Sequence, residues 1–184
     1  MGPARLFLTA PAGWETAHDI IFIGKNALDD PGEVYDILLG VHLVGNVYTG
    51  GCQWQGTALD PPVGPTVDDL ATALVAHGGP GTVGPTDVTI GGHPGKKVEL
   101  SIPADVDIAT CDKWDGLPVF ARWSPPLHPL VGGPWTYGSG QRNTVYILDV
   151  EGTRQVIDTM YLPGTSAANL AELEQILASI RFEP

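Results

Sequence analysis

The sequence predicts an α+β domain in which two main helices pack on an antiparallel sheet. Three observations carry this reading. Two stretches with N-cap residues show apolar positions at helical spacing, two long segments alternate with period two about a glycine turn, and the helices fall between runs of hairpins instead of alternating with single strands. With 184 residues the chain fits a single domain, 1–184, large enough to bury a core.

The elements follow in order. "ARLFL" (4–8) and "HDIIFIG" (18–24) are short strands, and a long strand is expected from Val34 to Tyr48. Tyr35, Ile37, Leu39, Val41, Leu43 and Val47 would form its apolar face. The even positions, Asp36, Leu38, Gly40, His42, Val44, Asn46 and Tyr48, form a mixed polar face that is either open to solvent or lines a pocket. A helix opens at Thr66, which is placed to accept the Asp69 amide. Asp68 and Asp69 suit the positive end of the helix dipole, Val67, Leu70, Ala71 and Leu74 make the buried stripe, and "HGGPG" (77–81) ends the helix. "DVTIGGHPGKKVELSIP" (87–103) is a hairpin turning on Gly91–Gly95, with Val98, Leu100 and Ile102 facing inward. "TVYILDVEGTRQVIDTMYL" (144–162) is a second, turning at Glu151–Gly152. A closing helix starts near Thr165 or Ser166, with Leu170, Leu173, Ile176, Leu177 and Ile180 on one side and Glu172 and Glu174 facing water.

Composition excludes some function classes. Twenty-one acidic residues against 9 basic ones give a net charge of -12, which repels nucleic-acid backbones and anionic lipid, so no nucleic-acid partner is expected. No apolar run reaches the roughly 20 residues of a membrane span. "MGPARLFLTAPAGW" lacks a charged segment leading into a long apolar one, so no export signal is read there. The low lysine content and the 24 glycines and 17 prolines nevertheless suit an exported protein with a loop-rich surface. "GPGTVG" (79–84) follows a helix and precedes a strand, the reverse of the dinucleotide-binding context, and no cofactor is expected.

The element order, with "TVDDLATALVAH" before "TDVTIGGHPGKKVELSIP" and the closing "YILDVEGTRQVIDTMYLPGTSAANLAELEQILASIRFEP", resembles the PsbP-like fold of photosystem accessory proteins and actinobacterial lipoproteins. "VGNVYTGGCQW", "DPPVGPTVDDL" and "ATCDKWDG" are similar to stretches in uncharacterised extracytoplasmic modules of actinobacteria. The resemblance runs from about Trp14 onward. It implies an extracytoplasmic location, either alone or attached to a membrane-anchored parent, and it specifies no chemistry.

Candidate site residues are few. Cys52 and Cys111 offer a metal site, a nucleophile or a disulfide. No C-x-x-C or C-x-x-H spacing and no adjacent base is present, so a disulfide is the favoured reading. Such a bridge would bring Trp54 and Trp114 together, since each lies within three positions of a cysteine. With Trp123, Trp135, Tyr48 and His42 these aromatics are the candidate ligand surface, because loop aromatics stack on sugars and apolar ligands or anchor interfaces. His42 is also the candidate acid or base, with Asp36, Asp112 or Asp115 as partner. Asp105, Asp107, Asp112 and Asp115 form an acidic loop that lacks the EF-hand pattern and is a weak candidate for a divalent cation. The expected function is a non-catalytic binding or sensor module for a small molecule or protein. A small secreted enzyme using His42, or a protein-interaction module, is the alternative.

Overall fold

The structure is a computed structural model and describes residues 5–17, 22–26, 35–114, 116–124 and 138–183. The strands are β1 (Arg5–Phe7), β2 (Glu15–Ala17), β3 (Phe22–Asn26), β4 (Tyr35–His42), β5 (Asn46–Val47), β6 (Val83–Ile90), β7 (His93–Ser101), β8 (Lys113–Trp114), β9 (Leu117–Pro118), β10 (Trp123–Ser124), β11 (Arg142–Val150), β12 (Thr153–Tyr161) and β13 (Arg181–Glu183). The helices are α1 (Val67–His77) and α2 (Ala167–Ser179). A seven-stranded antiparallel sheet in the order β2-β3-β4-β12-β11-β7-β6 forms the centre. The α+β class with its large antiparallel sheet and two helices is as the sequence indicates.

The two helices cover opposite faces of the sheet. Leu70, Ala71 and Leu74 of α1 pack with Val98, Leu100, Val145, Ile147 and Val156. Leu173, Ile176 and Leu177 of α2 pack with Ile37, Leu39, Tyr146, Leu148 and Ile157. Neighbouring residues of β11 and β12 therefore enter different cores. That is why these strands read as nearly continuous apolar runs: both faces are buried.

Local chemistry sets the helix starts. Thr66 Oγ1 accepts the Asp69 amide at 3.1 Å, while the Asp69 carboxylate accepts the Thr66 amide at 3.0 Å, a reciprocal capping box. Ser166 caps α2 by accepting the Asn169 amide at 3.1 Å. Replacing Thr66 with Ala is expected to lower stability by about 1 kcal/mol in urea denaturation; an unchanged midpoint would show that packing alone holds α1.

Three expectations need correction. The long strand expected over Val34–Tyr48 is seen as β4 and ends at His42, with Val34 outside the described residues. Beyond it, Asn46 uses its side chain locally, accepting the amides of Val47 and Val63 and donating to the Leu59 carbonyl. These bonds take the chain out of the ladder, so β5 pairs with β10 instead of the main sheet, and Leu43, expected on the apolar face, is 51% exposed. The first hairpin turns on Gly91–Gly92 alone. Pro94 enters β7 one position beyond the last β7–β11 pair, Leu148 with Gly95, where no ladder bond needs its missing N–H. Glu172, expected to face water, accepts the Trp14 indole N–H and pairs with Lys25, both at 2.8 Å, tying the N-terminal strands to α2. The predicted 4–8 strand is seen as β1, which pairs with β13. The predicted 18–24 strand is seen as β3, with positions 18–21 outside the described residues.

Candidate functional site

Cys52 and Cys111 form a disulfide with their Cα atoms 4.4 Å apart. It joins the glycine-rich turn after β5 to the acidic loop before β8, and backbone bonds continue the join. The Asp112 amide donates to the Cys52 carbonyl at 2.8 Å, the Ala121 amide to the Gly51 carbonyl at 2.8 Å, and the Val119 amide to the Asp112 carbonyl at 3.0 Å. The Gln55 amide donates to Asp112 Oδ2 at 2.8 Å. Gly51 is required because the Phe120 ring occupies the space a Cβ would take. Two loops distant in sequence thus form one rigid layer.

The expected meeting of Trp54 and Trp114 is present, with ring centroids 5.5 Å apart, and Tyr48 lies 5.2 Å from Trp54. The three differ in exposure. Trp54 is only 7% exposed and donates its indole N–H to the Val119 carbonyl at 3.1 Å, so it supports the layer from below. Trp114 and Tyr48 are half-buried and reach the surface. Burial raises the Tyr48 hydroxyl pKa, against a hydrogen bond with Ser124 that lowers it. Opposite Trp114 in the β8–β9 pair stands Leu117, 65% exposed, a member of this surface that the sequence reading passed over. Trp123 is 3% exposed and belongs to the core beneath; Trp135 lies outside the described residues.

The acidic loop divides its carboxylates among different tasks. Asp107 caps the short turn Ile108–Thr110 by accepting the Ala109 amide, Asp112 holds Gln55, and Asp105 is exposed. Asp115 falls outside the described residues. Among the described residues no group of three His, Cys, Asp or Glu side chains is placed to hold a metal ion.

His42 occupies a place neither version of the sequence reading gave it. It is 2% exposed, neither open to solvent nor on a pocket floor, with the Phe22 ring 5.3 Å away and the Trp123 ring 5.5 Å away. Its carboxylate neighbour is not one of the expected acids. Asp36 lies six residues back along β4 and accepts from Thr165 and Asn169 at the start of α2. The neighbour is Asp158 of β12, with Oδ2 3.9 Å from His42 Nε2. Gly40 faces Asp158 across the ladder, and the Phe22 ring fills the space above it, which brings His42 and Asp158 under one cover.

Asp158 anchors a buried polar cluster. Asn143 donates to both its oxygens, at 3.2 and 2.9 Å, and Gln141 in turn donates to Asn143. Burial pushes the Asp158 carboxyl up to about 8, against the Asn143 hydrogen bonds and the Arg122 charge, which lower it. Arg122 is itself buried. Its guanidinium donates to the Gly78 carbonyl, just past α1, and to the Ser101 carbonyl of β7 at 2.6 Å, and lies 4.9 Å from the Phe120 ring centroid. Burial brings its pKa down to about 10. The signals for these residues were an acid inside the apolar run "VIDTMY" of a central strand and an arginine inside "VFARW".

A separate cleft of about 460 Å³ opens between the start of α1, the β6–β7 hairpin and the β11–β12 turn, with Asp68, Asp87, Lys96, Asp149 and Arg154 on its walls. Its cations are already engaged. Lys96 pairs with Asp87 at 2.7 Å and Asp68 at 3.7 Å, and Arg154 donates to the carbonyls of Gly64, Thr66 and Val44.

Comparison with models of known protein families and with curated proteins yields no match.

Proposed function

We propose that this chain is an extracytoplasmic ligand-binding or sensor module without catalytic activity, whose contact surface is the disulfide-stapled layer carrying Tyr48, Trp114 and Leu117 beside Asp112. The observation that supports this reading is the rigidity given to a solvent-facing aromatic. Half-buried Trp114 rests on buried Trp54, and both loops beneath are fixed by a disulfide and by cross-loop hydrogen bonds donated by backbone amides and by the Trp54 indole. Holding an aromatic in its bound position before the ligand arrives removes ordering costs from association. The surface offers an aromatic ring and an exposed leucine with a carboxylate close in sequence, which suits a pyranose ring or an amphiphile of similar size. Nothing in the described helices is long and apolar enough to cross a membrane, and the disulfide suits an oxidising compartment. The PsbP-like resemblance points to the same compartment.

A His42-based hydrolytic reading has less support. Substrate would have to pass the Phe22 and Trp123 rings, and 3.9 Å between His42 and Asp158 is too long for the hydrogen bond that orients a catalytic imidazole.

Calorimetric titration with cellotetraose, chitotetraose and a short-chain alkyl glycoside tests the proposal. At least one is expected to bind, and Trp114→Ala is expected to weaken it about tenfold, as loss of one stacked aromatic does. Absence of binding by all three, or equal binding by the Trp114→Ala protein, would overturn it.

A further inference from the structure

The buried cluster and the stapled surface share one strand of chain. Segment 119–122 supplies the Val119 carbonyl that holds the Trp54 indole, the Ala121 amide that holds Gly51, the Phe120 ring that fills the space over Gly51, and Arg122. The Arg122 carbonyl also accepts the Tyr48 amide at 3.0 Å. The Arg122 guanidinium is therefore the anchor that pins the underside of the surface to α1 and β7.

That anchor has a competitor. Asp158 lies in the same buried neighbourhood: its partner Asn143 faces Leu100, next to the Ser101 carbonyl that holds the guanidinium, and His42, 3.9 Å from it, meets the Trp123 ring next to Arg122. Yet among the described residues no carboxylate lies within 4 Å of the guanidinium, which bonds to two neutral carbonyls instead. A buried carboxylate and a buried guanidinium left apart in a medium of low polarity make an unstable arrangement; a protonated carboxyl and a guanidinium on carbonyls make a stable one. The only side-chain donor bonded to Asp158 among the described residues is the neutral Asn143 amide. The groups that face it are His42 from β4, Arg122 from the segment before β10, and Asn143 from β11 with Gln141 behind.

We propose that Asp158 and Arg122 form a proton-linked latch beneath the binding surface. While Asp158 holds its proton, Arg122 stays on Gly78 and Ser101 and segment 119–122 is held down. When the carboxyl ionises, the carboxylate draws the guanidinium toward itself, and segment 119–122, whose Val119 carbonyl holds the Trp54 indole beside Trp114, loosens. The latch rests on the surface proposed above, and it gives that surface a response to alkaline pH.

The test follows two resonances of the unmodified protein through a pH titration without ligand, the Asp158 side-chain carboxyl carbon and the Trp114 indole N–H. Both are expected to move together with a midpoint near 8. In Asp158→Asn the Trp114 movement is expected to vanish. In Arg122→Lys, which cannot span both carbonyls, Asp158 is expected to titrate while Trp114 stays flat. Titration of Asp158 in the ordinary carboxylate range, a Trp114 signal that ignores it, or a Trp114 transition that survives Asp158→Asn would each overturn the latch. Should Asp158→Asn fail to fold, the native titration and Arg122→Lys still decide. Since no ligand is present, a failed latch leaves the binding surface standing, and failed binding leaves the latch standing.

Discussion

Raising the pH from about 4 to about 8 is expected to destabilise the native state through one residue, Asp158, by an amount on the order of 5 kcal/mol. In the unfolded chain this carboxyl ionises at its usual 3.8, whereas in the folded chain burial holds the proton on until about 8. A raised folded-state pKa means that the folded state binds the proton more tightly. Its stabilising contribution is therefore complete below the unfolded value and is lost as pH climbs toward the folded one. Asp69 and Glu172 act in the opposite direction at the acid end. A hydrogen bond from Thr66 lowers the Asp69 pKa, and hydrogen bonds from Lys25 and then Trp14 lower that of Glu172. Their contributions are present above the usual carboxylate range and are lost as pH falls through it. Stability should thus peak on the acid side of neutrality. Urea denaturation at a series of pH values measures this directly. Asp158→Asn, which keeps the side-chain shape and one acceptor for Asn143, is expected to flatten the decline toward pH 8; an unchanged slope would place the responsible proton elsewhere.

Removing the disulfide is the second large effect. Cys52 and Cys111 close a loop with a sequence separation of 59. In the chain-entropy treatment that closure is worth about 4 kcal/mol through the unfolded state. The double variant Cys52→Ser/Cys111→Ser should show that loss in its urea midpoint. It should also show exchange broadening confined to residues 49–58 and 105–121, because the main sheet and both helices make no use of the bridge. A loss below about 1 kcal/mol would mean that the hydrogen bonds from Asp112, Gln55 and Ala121 hold the two loops without it.

Much of this fold is local and so legible in the chain. Thr66 with Asp69, Ser166 with Asn169, and the Glu151–Gly152 turn each act within four residues. The cysteine pairing and the Trp54–Trp114 contact were legible for a different reason: with two cysteines there is one intramolecular pairing, and it carries its neighbours with it. The limits appear where tertiary packing decides. The alternation of β4 assigns His42 to a mixed face correctly, yet cannot say that Trp123, from a segment about 80 positions later, closes over it. The Asp158 cluster draws on β4, segment 119–122, the start of β11 and β12, so no window of sequence contains it. The acid in "VIDTMY" was the one visible sign, and reading it required knowing that β12 lies at the sheet centre, between β4 and β11. Leu117 escaped notice because a single leucine beside a glycine turn has no periodicity to place it.

The central claim is that the stapled layer around Trp114 is a preformed binding face. Mapping the backbone and indole resonances while oligosaccharide is added, at a pH below the Asp158 transition, tests it most directly. The expected result is a progressive shift of the Trp114 indole, Tyr48 and residues 112–117, with the Trp123 indole unmoved. Shifts confined to the start of α1, Lys96 and Arg154, or no shift at Trp114 at saturating oligosaccharide, would contradict it.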